Sequence, residues 1–308
     1  MTSPAQAPFP IEAPYRVVPA PRLLGAAAHV VLDDAWPAAV ARRLERLRTD
    51  PGGVLVFDGP ARPGLADALR VAWSLLPVPR AGDVVDLPHL GVEIDLARLV
   101  SRRTTSCGVP AAQDAVLARD GLDLLVVGWL LACSDDLVVL RRTGPAAVSA
   151  ELLAVAFPSG WPPRQRAGAS LDQLHGPVAD GERLQRATPA LSAALLTKGP
   201  YLQHVWGLDP SGRLDRDPSA PDAAADDGVP AAQWWLRVER QTTRPLGDRA
   251  LFLIRPFLVP LVALDQVQRS VLAAAVGSMS PTSLAYKGIT GVRDELLAWL
   301  QLSEGSSG

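Results

Sequence analysis

Residues 234–257 constrain the fold more than any other stretch. Segments 234–242 and 251–257 are rich in β-branched and aromatic side chains, and only a short polar loop around Arg244-Pro245-Leu246-Gly247-Asp248 separates them. They read as an antiparallel hairpin. Alternate strand residues face opposite sides, so Leu236, Val238, Arg240 and Thr242 share one face, and Trp235, Arg237, Glu239 and Gln241 the other. On the second strand, Phe252 and Ile254 alternate with Leu253 and Arg255. A register that stacks the two apolar sets brings Arg237, Glu239, Gln241 and Arg255 together on the opposite face, and a slip of one residue undoes it. Two readings of that polar face stand side by side. One is a solvated surface with cross-strand ion pairs. The other is a site in which guanidinium forks bind carboxylates bidentately.

The segments around the hairpin give an order of elements. Residues 33–47 read as a helix, with Asp33 or Asp34 as cap and Trp36, Val40, Leu44 and Leu47 at helical spacing. Residues 54–57 read as a strand or buried turn, 66–75 as a short helix, 80–103 as a mixed connection, and 113–132 as one long apolar helix behind Pro110. Strand character returns at 137–141 and 152–157, around a turn at Thr143-Gly144-Pro145. Residues 170–196 are helical in pattern, 201–208 form a strand, and 209–230, rich in Pro, Asp, Gly and Ala, a surface loop. Helices at 262–276 and 292–300 follow, then a polar tail from Ser303. Strand, strand, helical insert and three strands with short connections favour antiparallel pairing. The expectation is an α+β fold: an antiparallel PAS-like sheet of about five strands with inserted and flanking helices. Three regions follow: an N-terminal arm and helical region over 1–130, the core over 131–262, and C-terminal helices and tail over 263–308.

Composition narrows the function classes. With 308 residues, 48% hydrophobic and 20% charged, the chain can bury a sizeable core. A net charge of -2 gives no general case for nucleic acid or an anionic membrane. The most apolar run, 124–133, falls short of the roughly 18 residues a membrane span needs. The Pro-rich start, 1–21, lacks the basic and apolar regions of a signal peptide and reads as an extended arm, so a cytoplasmic protein with reduced cysteines is expected. Two cysteines exclude a disulfide scaffold, and no C-x-x-C or H-x-H spacing suggests zinc. Dinucleotide, Walker and nucleophile-elbow signatures are absent.

Four histidines leave few candidates for imidazole chemistry. His175 ends a short helical segment, Leu174-His175-Gly176-Pro177, that follows Phe157-Pro158-Ser159-Gly160-Trp161. It is either a structural histidine at a helix end or, in an apolar setting, an axial ligand for haem iron. His204, beside Trp206, is its best rival; His29 and His89 have weaker contexts. Cys133 ends an apolar helix and reads as a buried thiol. Asp135-Asp136 reads as a turn or cap, or else as a carboxylate pair for acid–base work.

At these residues the sequence resembles the haem-dependent oxidative N-demethylase family, related to the haem subunit of dimethylamine monooxygenase. The resemblance rests on Phe157 to Trp161, on Gly168, Leu171, Leu174, His175, Pro177 and Val178, on Arg237-Val238-Glu239-Arg240-Gln241-Thr242, and on Phe252-Leu253-Ile254-Arg255. Asp135-Asp136-Leu137 and a weaker stretch from Tyr15 through Asp33 to Arg43 extend it over most of the chain. It implies a PAS-type domain carrying haem b, which oxidises an amine methyl group with dioxygen and electrons from a separate reductase or ferredoxin. By that resemblance His175 is the iron ligand. Trp161, Arg237, Arg240 and Arg255 are cofactor contacts, with Arg240 and Arg255 the candidates for propionate or distal contacts, and Glu239 and His204 are catalytic candidates. The sequence departs from the family where Arg-x-Asn-Trp becomes Gln203-His204-Val205-Trp206, which implies a different amine or related metabolite as substrate. A haem-based PAS sensor and a non-catalytic binding homologue are the alternatives.

Overall fold

The computed structural model describes residues 7–17, 21–176, 179–219 and 228–302. The arm leads into β1 (Arg22–Leu23), α1 (Trp36–Thr49), α2 (Pro51–Val54), β2 (Leu55–Phe57) and α3 (Leu65–Trp73). α1 begins three residues later than the sequence pattern indicates. Asp33 accepts from the amide of Ala35 at 3.1 Å, while its other carboxylate oxygen meets Arg255.

Next come β3 (Arg80–Ala81), β4 (Val84–Leu87), β5 (Val92–Asp95) and β6 (Val100–Arg103), a four-stranded antiparallel meander. The stretch read as a mixed connection is therefore a small sheet of its own. Its signal is present in the sequence: Val85, Leu87, Val92 and Ile94 are fully buried and alternate with Asp86 and Glu93. Gly91, at φ +62°, makes the β4–β5 turn; a Cβ there would collide with the Thr105 carbonyl.

The long apolar helix is two, α4 (Pro110–Leu117) and α5 (Gly121–Ala132). Asp120 is extended and Gly121 left-handed (φ +57°), so the chain turns between them. α5 is buried along nearly its whole length, with Trp73 and Trp129 in an edge-to-face contact at 6.1 Å.

The main sheet follows: β7 (Asp136–Gly144), β8 (Ala147–Ala154), α6 (Leu171–His175), α7 (Glu182–Thr197), β9 (Tyr201–Asp209), β10 (Trp235–Pro245) and β11 (Arg249–Pro260). α8 (Gln266–Gly277), α9 (Pro281–Tyr286) and α10 (Arg293–Leu300) close the described chain. The sheet has seven strands, not about five. Its order is β1-β9-β10-β11-β7-β8-β2, antiparallel throughout, with one strand from the N-terminal region on each edge. The loop after β9 is not wholly a surface feature. Asp215 and Asp217 are buried against Arg46 of α1; residues 220–227 lie outside the described residues, as do the tail from Ser303 and parts of the arm.

The hairpin forms, but in the slipped register. Arg240 pairs with Arg255, Gln241 with Ile254 and Thr242 with Leu253. Arg255 therefore shares a face with Leu236, Val238, Arg240 and Thr242, not with Arg237, Glu239 and Gln241. The reason lies at the turn. Both strands run further than their apolar stretches, to a Pro245–Ala250 pair, and the loop is closed by the Leu246 amide on the Arg249 carbonyl at 2.8 Å with Gly247 at φ +83°.

Each face of the sheet is covered. On the inner face, Leu137, Val139, Leu251 and Leu253 join the core of α1, α3 and α5. Further along that face, Leu236, Val238, Phe257 and Val259 join a second core with α8 and α10. On the outer face, Val138, Leu140, Ala250 and Ile254 pack under α6 and α7.

Candidate functional site

The outer face combines an apolar wall with a polar strip. The chain leaving β8 turns through Phe157-Pro158-Ser159-Gly160, with Gly160 at φ +79°, and delivers Trp161 onto the cluster of Val138, Ile254, Phe252, Leu171 and Leu191. α6 starts with a capping box: Ser170 Oγ accepts from the Gln173 amide, and Gln173 Oε1 accepts from the Ser170 amide at 2.8 Å. This fixes the one-turn helix whose last residue is His175. The His175 side chain, Pro177 and Val178 lie outside the described residues.

Along β10 the outer face carries Arg237, Glu239 and Gln241, all buried. Arg237 donates to the carbonyls of Phe157 and Leu214, each at 2.8 Å, and its Nη2 lies 3.6 Å from Glu239 Oε1. Gln241 donates to Glu239 Oε2 at 3.0 Å, and Gln203 of β9 donates to Gln241 Oε1 at 2.6 Å. The strip is thus one hydrogen-bonded line, Arg237–Glu239–Gln241–Gln203. Val205, paired with Glu239, is 41% exposed, so the strip borders solvent there. Tyr286 of α9 comes near the same carboxylate. Burial raises its phenol pKa, Arg166 opposes that, and Glu239 adds to it.

The inner face holds the other three candidates. His204, Arg240 and Arg255 lie in one cross-strand row. Arg240 donates to the carbonyls of Ala28 and, at 2.8 Å, His29. Arg255 pairs with Asp33 at 2.6 Å and lies over the Phe257 ring. Burial lowers the pKa of His204, and Arg240 and Arg22 add to the effect. Burial, with Arg244 and Arg240, brings His29 down to about 4.

Asp135 and Asp136 sit where α5 turns into β7. Asp136 accepts from Arg43 at 2.8 Å and from the amides of Ala156 and Phe157, so it is a structural acceptor. Asp135 differs: it is fully buried, and neither carboxylate oxygen has a hydrogen-bond partner. Cys133 is a buried thiol whose pKa burial pushes up, which makes it a poor thiolate ligand.

The structure therefore gathers Trp161, the helix ending in His175, Arg237 and Glu239 on one side of the sheet. His204, Arg240 and Arg255 lie on the other. Sequence reasoning missed Gln203, which extends the strip through Gln241, and Tyr286, whose phenol feels the Glu239 charge. The β9–β10 register that pairs Gln203 with Gln241 was the signal for the first; nothing local announces the second. An apolar wall beside a buried arginine suits haem, an apolar ring bearing two carboxylates, and Arg237 Nε is buried without a partner there. Among the described residues no group of three or more His, Cys, Asp or Glu could hold a metal ion. A porphyrin supplies four iron ligands itself, so one axial side chain suffices. Among these residues, too, no helix is long and apolar enough to cross a membrane.

The sequence profile of a family described as haem-dependent oxidative N-demethylase, alpha subunit-like, matches residues 94–297. The match runs from within β5 to within α10, about two thirds of the chain. No curated protein matches.

Proposed function

The chain belongs to the haem-dependent oxidative N-demethylase, alpha subunit-like family, and from that we propose that it is a haem-binding oxygenase that removes a methyl group from an amine. The observation that carries the reading is the family match over residues 94–297. A PAS-like core is part of the proposal. It is supported by the central order β9-β10-β11-β7-β8, with α6 and α7 inserted between the second and third of these strands in sequence.

In this reading the outer face would hold haem b, with His175 as the residue that would bind the iron and Trp161 and Arg237 as the residues that would contact the cofactor. When bound, the haem supplies the iron at which dioxygen is activated, with electrons from a separate reductase or ferredoxin. The protein's own part is recognition and exclusion of water. Glu239 Oε1, steadied between Arg237 and Gln241, accepts a hydrogen bond from the protonated amine; Val205 and Tyr286 flank the place where it rests. Arg240, Arg255 and His204 are left out of this proposal because they face the other way. The reading also keeps the protein in the cytoplasm.

The absorption spectrum of purified protein tests the haem reading. A Soret band is expected, and His175→Ala is expected to abolish or strongly shift it; full occupancy with an unchanged spectrum in that variant removes the ligand assignment. Turnover is tested by supplying reduced protein and oxygen with secondary and tertiary amines and assaying formaldehyde. Oxygen binding without product across a broad panel favours a haem-based sensor, and a colourless protein favours a binding homologue.

A further inference from the structure

The Asp135 carboxylate has no place in the proposed reaction, yet among the described residues it is a buried acid whose side chain bonds to nothing. It is fully buried on the inner side of the sheet, and both of its oxygens lack a hydrogen-bond partner. A buried ionised carboxylate without hydrogen bonds is strongly unfavourable, so such a group either stays protonated or finds a cation. The charged groups acting on it come from three elements besides its own. Arg255 of β11 pulls most strongly, followed by Arg43 of α1 and Arg240 of β10, while Asp136 beside it repels. Burial outweighs these arginines and raises the carboxyl to about 7.

Each of those arginines already has a partner. Arg43 is fully buried and holds Asp136 and the carbonyls of Leu130, Cys133 and Ser134. Arg240 holds two backbone carbonyls, and burial lowers its pKa. Arg43 and Arg255 each pair with a second carboxylate and each has a buried Nε without a partner, but Asp136 is also held by the amides of Ala156 and Phe157, one on each of its oxygens, whereas the Asp33 oxygen on Arg255 has Arg255 alone as its hydrogen-bond partner. Asp33 anchors the segment between β1 and α1. That segment is held to the sheet by Arg255 on Asp33, by Arg240 on Ala28 and His29, and by Thr242 on His29 at 3.1 Å. Asp33 also accepts from the amides of Ala35, through its side chain, and Trp36, through its carbonyl, and so ties down Ala35, the N-cap residue of α1, and Trp36, its first residue.

We propose that Asp135 and Asp33 compete for Arg255, so that Asp135 is a proton-operated latch on the segment leading into α1. Protonated Asp135 leaves Arg255 to Asp33, and the segment is clamped on the sheet. Loss of the proton draws Arg255 toward Asp135, frees Asp33 and loosens the start of α1. The latch uses none of the outer-face residues and holds whether or not haem is bound.

Amide hydrogen exchange at Ala35 and Trp36, corrected for intrinsic pH dependence, tests it on the full-length protein. In the wild type, protection is expected to fall about tenfold for each unit of pKa coupling as pH rises from about 6 to about 8. Asp135→Asn should keep these amides protected with no such step, and Asp33→Asn should leave them unprotected at both ends of the range. A wild-type profile without the step, the same step in Asp135→Asn, or full protection in Asp33→Asn overturns the latch. If Asp135→Asn does not fold, the infrared carbonyl stretch of a protonated carboxylic acid is read on the wild type. It should be present at pH 6 and lost by pH 8.5; a folded protein without it at either pH overturns the proposal.

Discussion

Arg43 and Asp136 have no solvent exposure, and their 2.8 Å pair is reinforced by carbonyls on one side and two amides on the other. Such a pair contributes little relative to an apolar one, but removing a single partner strands a charge in the interior. Arg43→Ala is expected to cost about 3–5 kcal/mol, read as a lower urea midpoint at unchanged slope; a loss below about 1 kcal/mol shows that the interior relaxes around Asp136. The sequence marks Asp135-Asp136 as an acidic pair after a helix, and it marks nothing more. Which of the two is satisfied depends on where Arg43 and the chain at 156–157 arrive, and those contacts join residues some 20 and 90 positions apart.

At the scale of elements, α6 has only five residues and cannot persist by propensity. Its capping box and its packing on β8 hold it. Ser170→Ala is expected to cost about 1 kcal/mol. On the proposed function it also raises the rate at which haem is lost to an apoprotein acceptor, while leaving the spectrum of the bound form intact. An unchanged loss rate separates the cap from the cofactor site. The hairpin shows what pattern can and cannot specify. Alternation at 234–242 and 251–257 establishes two strands and their internal faces. The relative phase of those faces is set at the turn, where the Leu246 amide bonds to the Arg249 carbonyl and Gly247 is left-handed. That register places Arg255 on the inner face, beside Arg240. The small sheet over 80–103 was legible in the alternation of Val85, Leu87, Val92 and Ile94. Reading it as a connection overlooked the period-two signal.

At the scale of the molecule, Asp135 and the histidines make opposing contributions to pH stability. Asp135 has a folded pKa of about 7, above the carboxylate's ordinary value of about 3.9. The folded state then holds a proton the unfolded chain has released, and stability falls as pH rises from about 4 to about 7. The depressed pKa values of His29, His89 and His204 act the other way, costing stability as pH falls below about 6.5. Asp135→Asn isolates the first contribution. Its stability relative to the wild type is expected to climb through pH 4–7 by a few kcal/mol and then level off, measured by denaturant unfolding at each pH. A constant difference across the range shows that Asp135 is not protonated in the folded protein.

The sequence by itself determined the five central strands of the main sheet, its antiparallel sense, the helices between β8 and β9, and the family. These follow from local periodicity, short connections and an ordered set of motifs. Tertiary structure alone decided which polar residues meet. Face assignment across strands depends on register, and a shift of one residue reverses it. So Arg237 and Glu239 lie with the helix that ends in His175, while Arg240, Arg255 and Asp135 form a buried cluster on the other side of the same sheet.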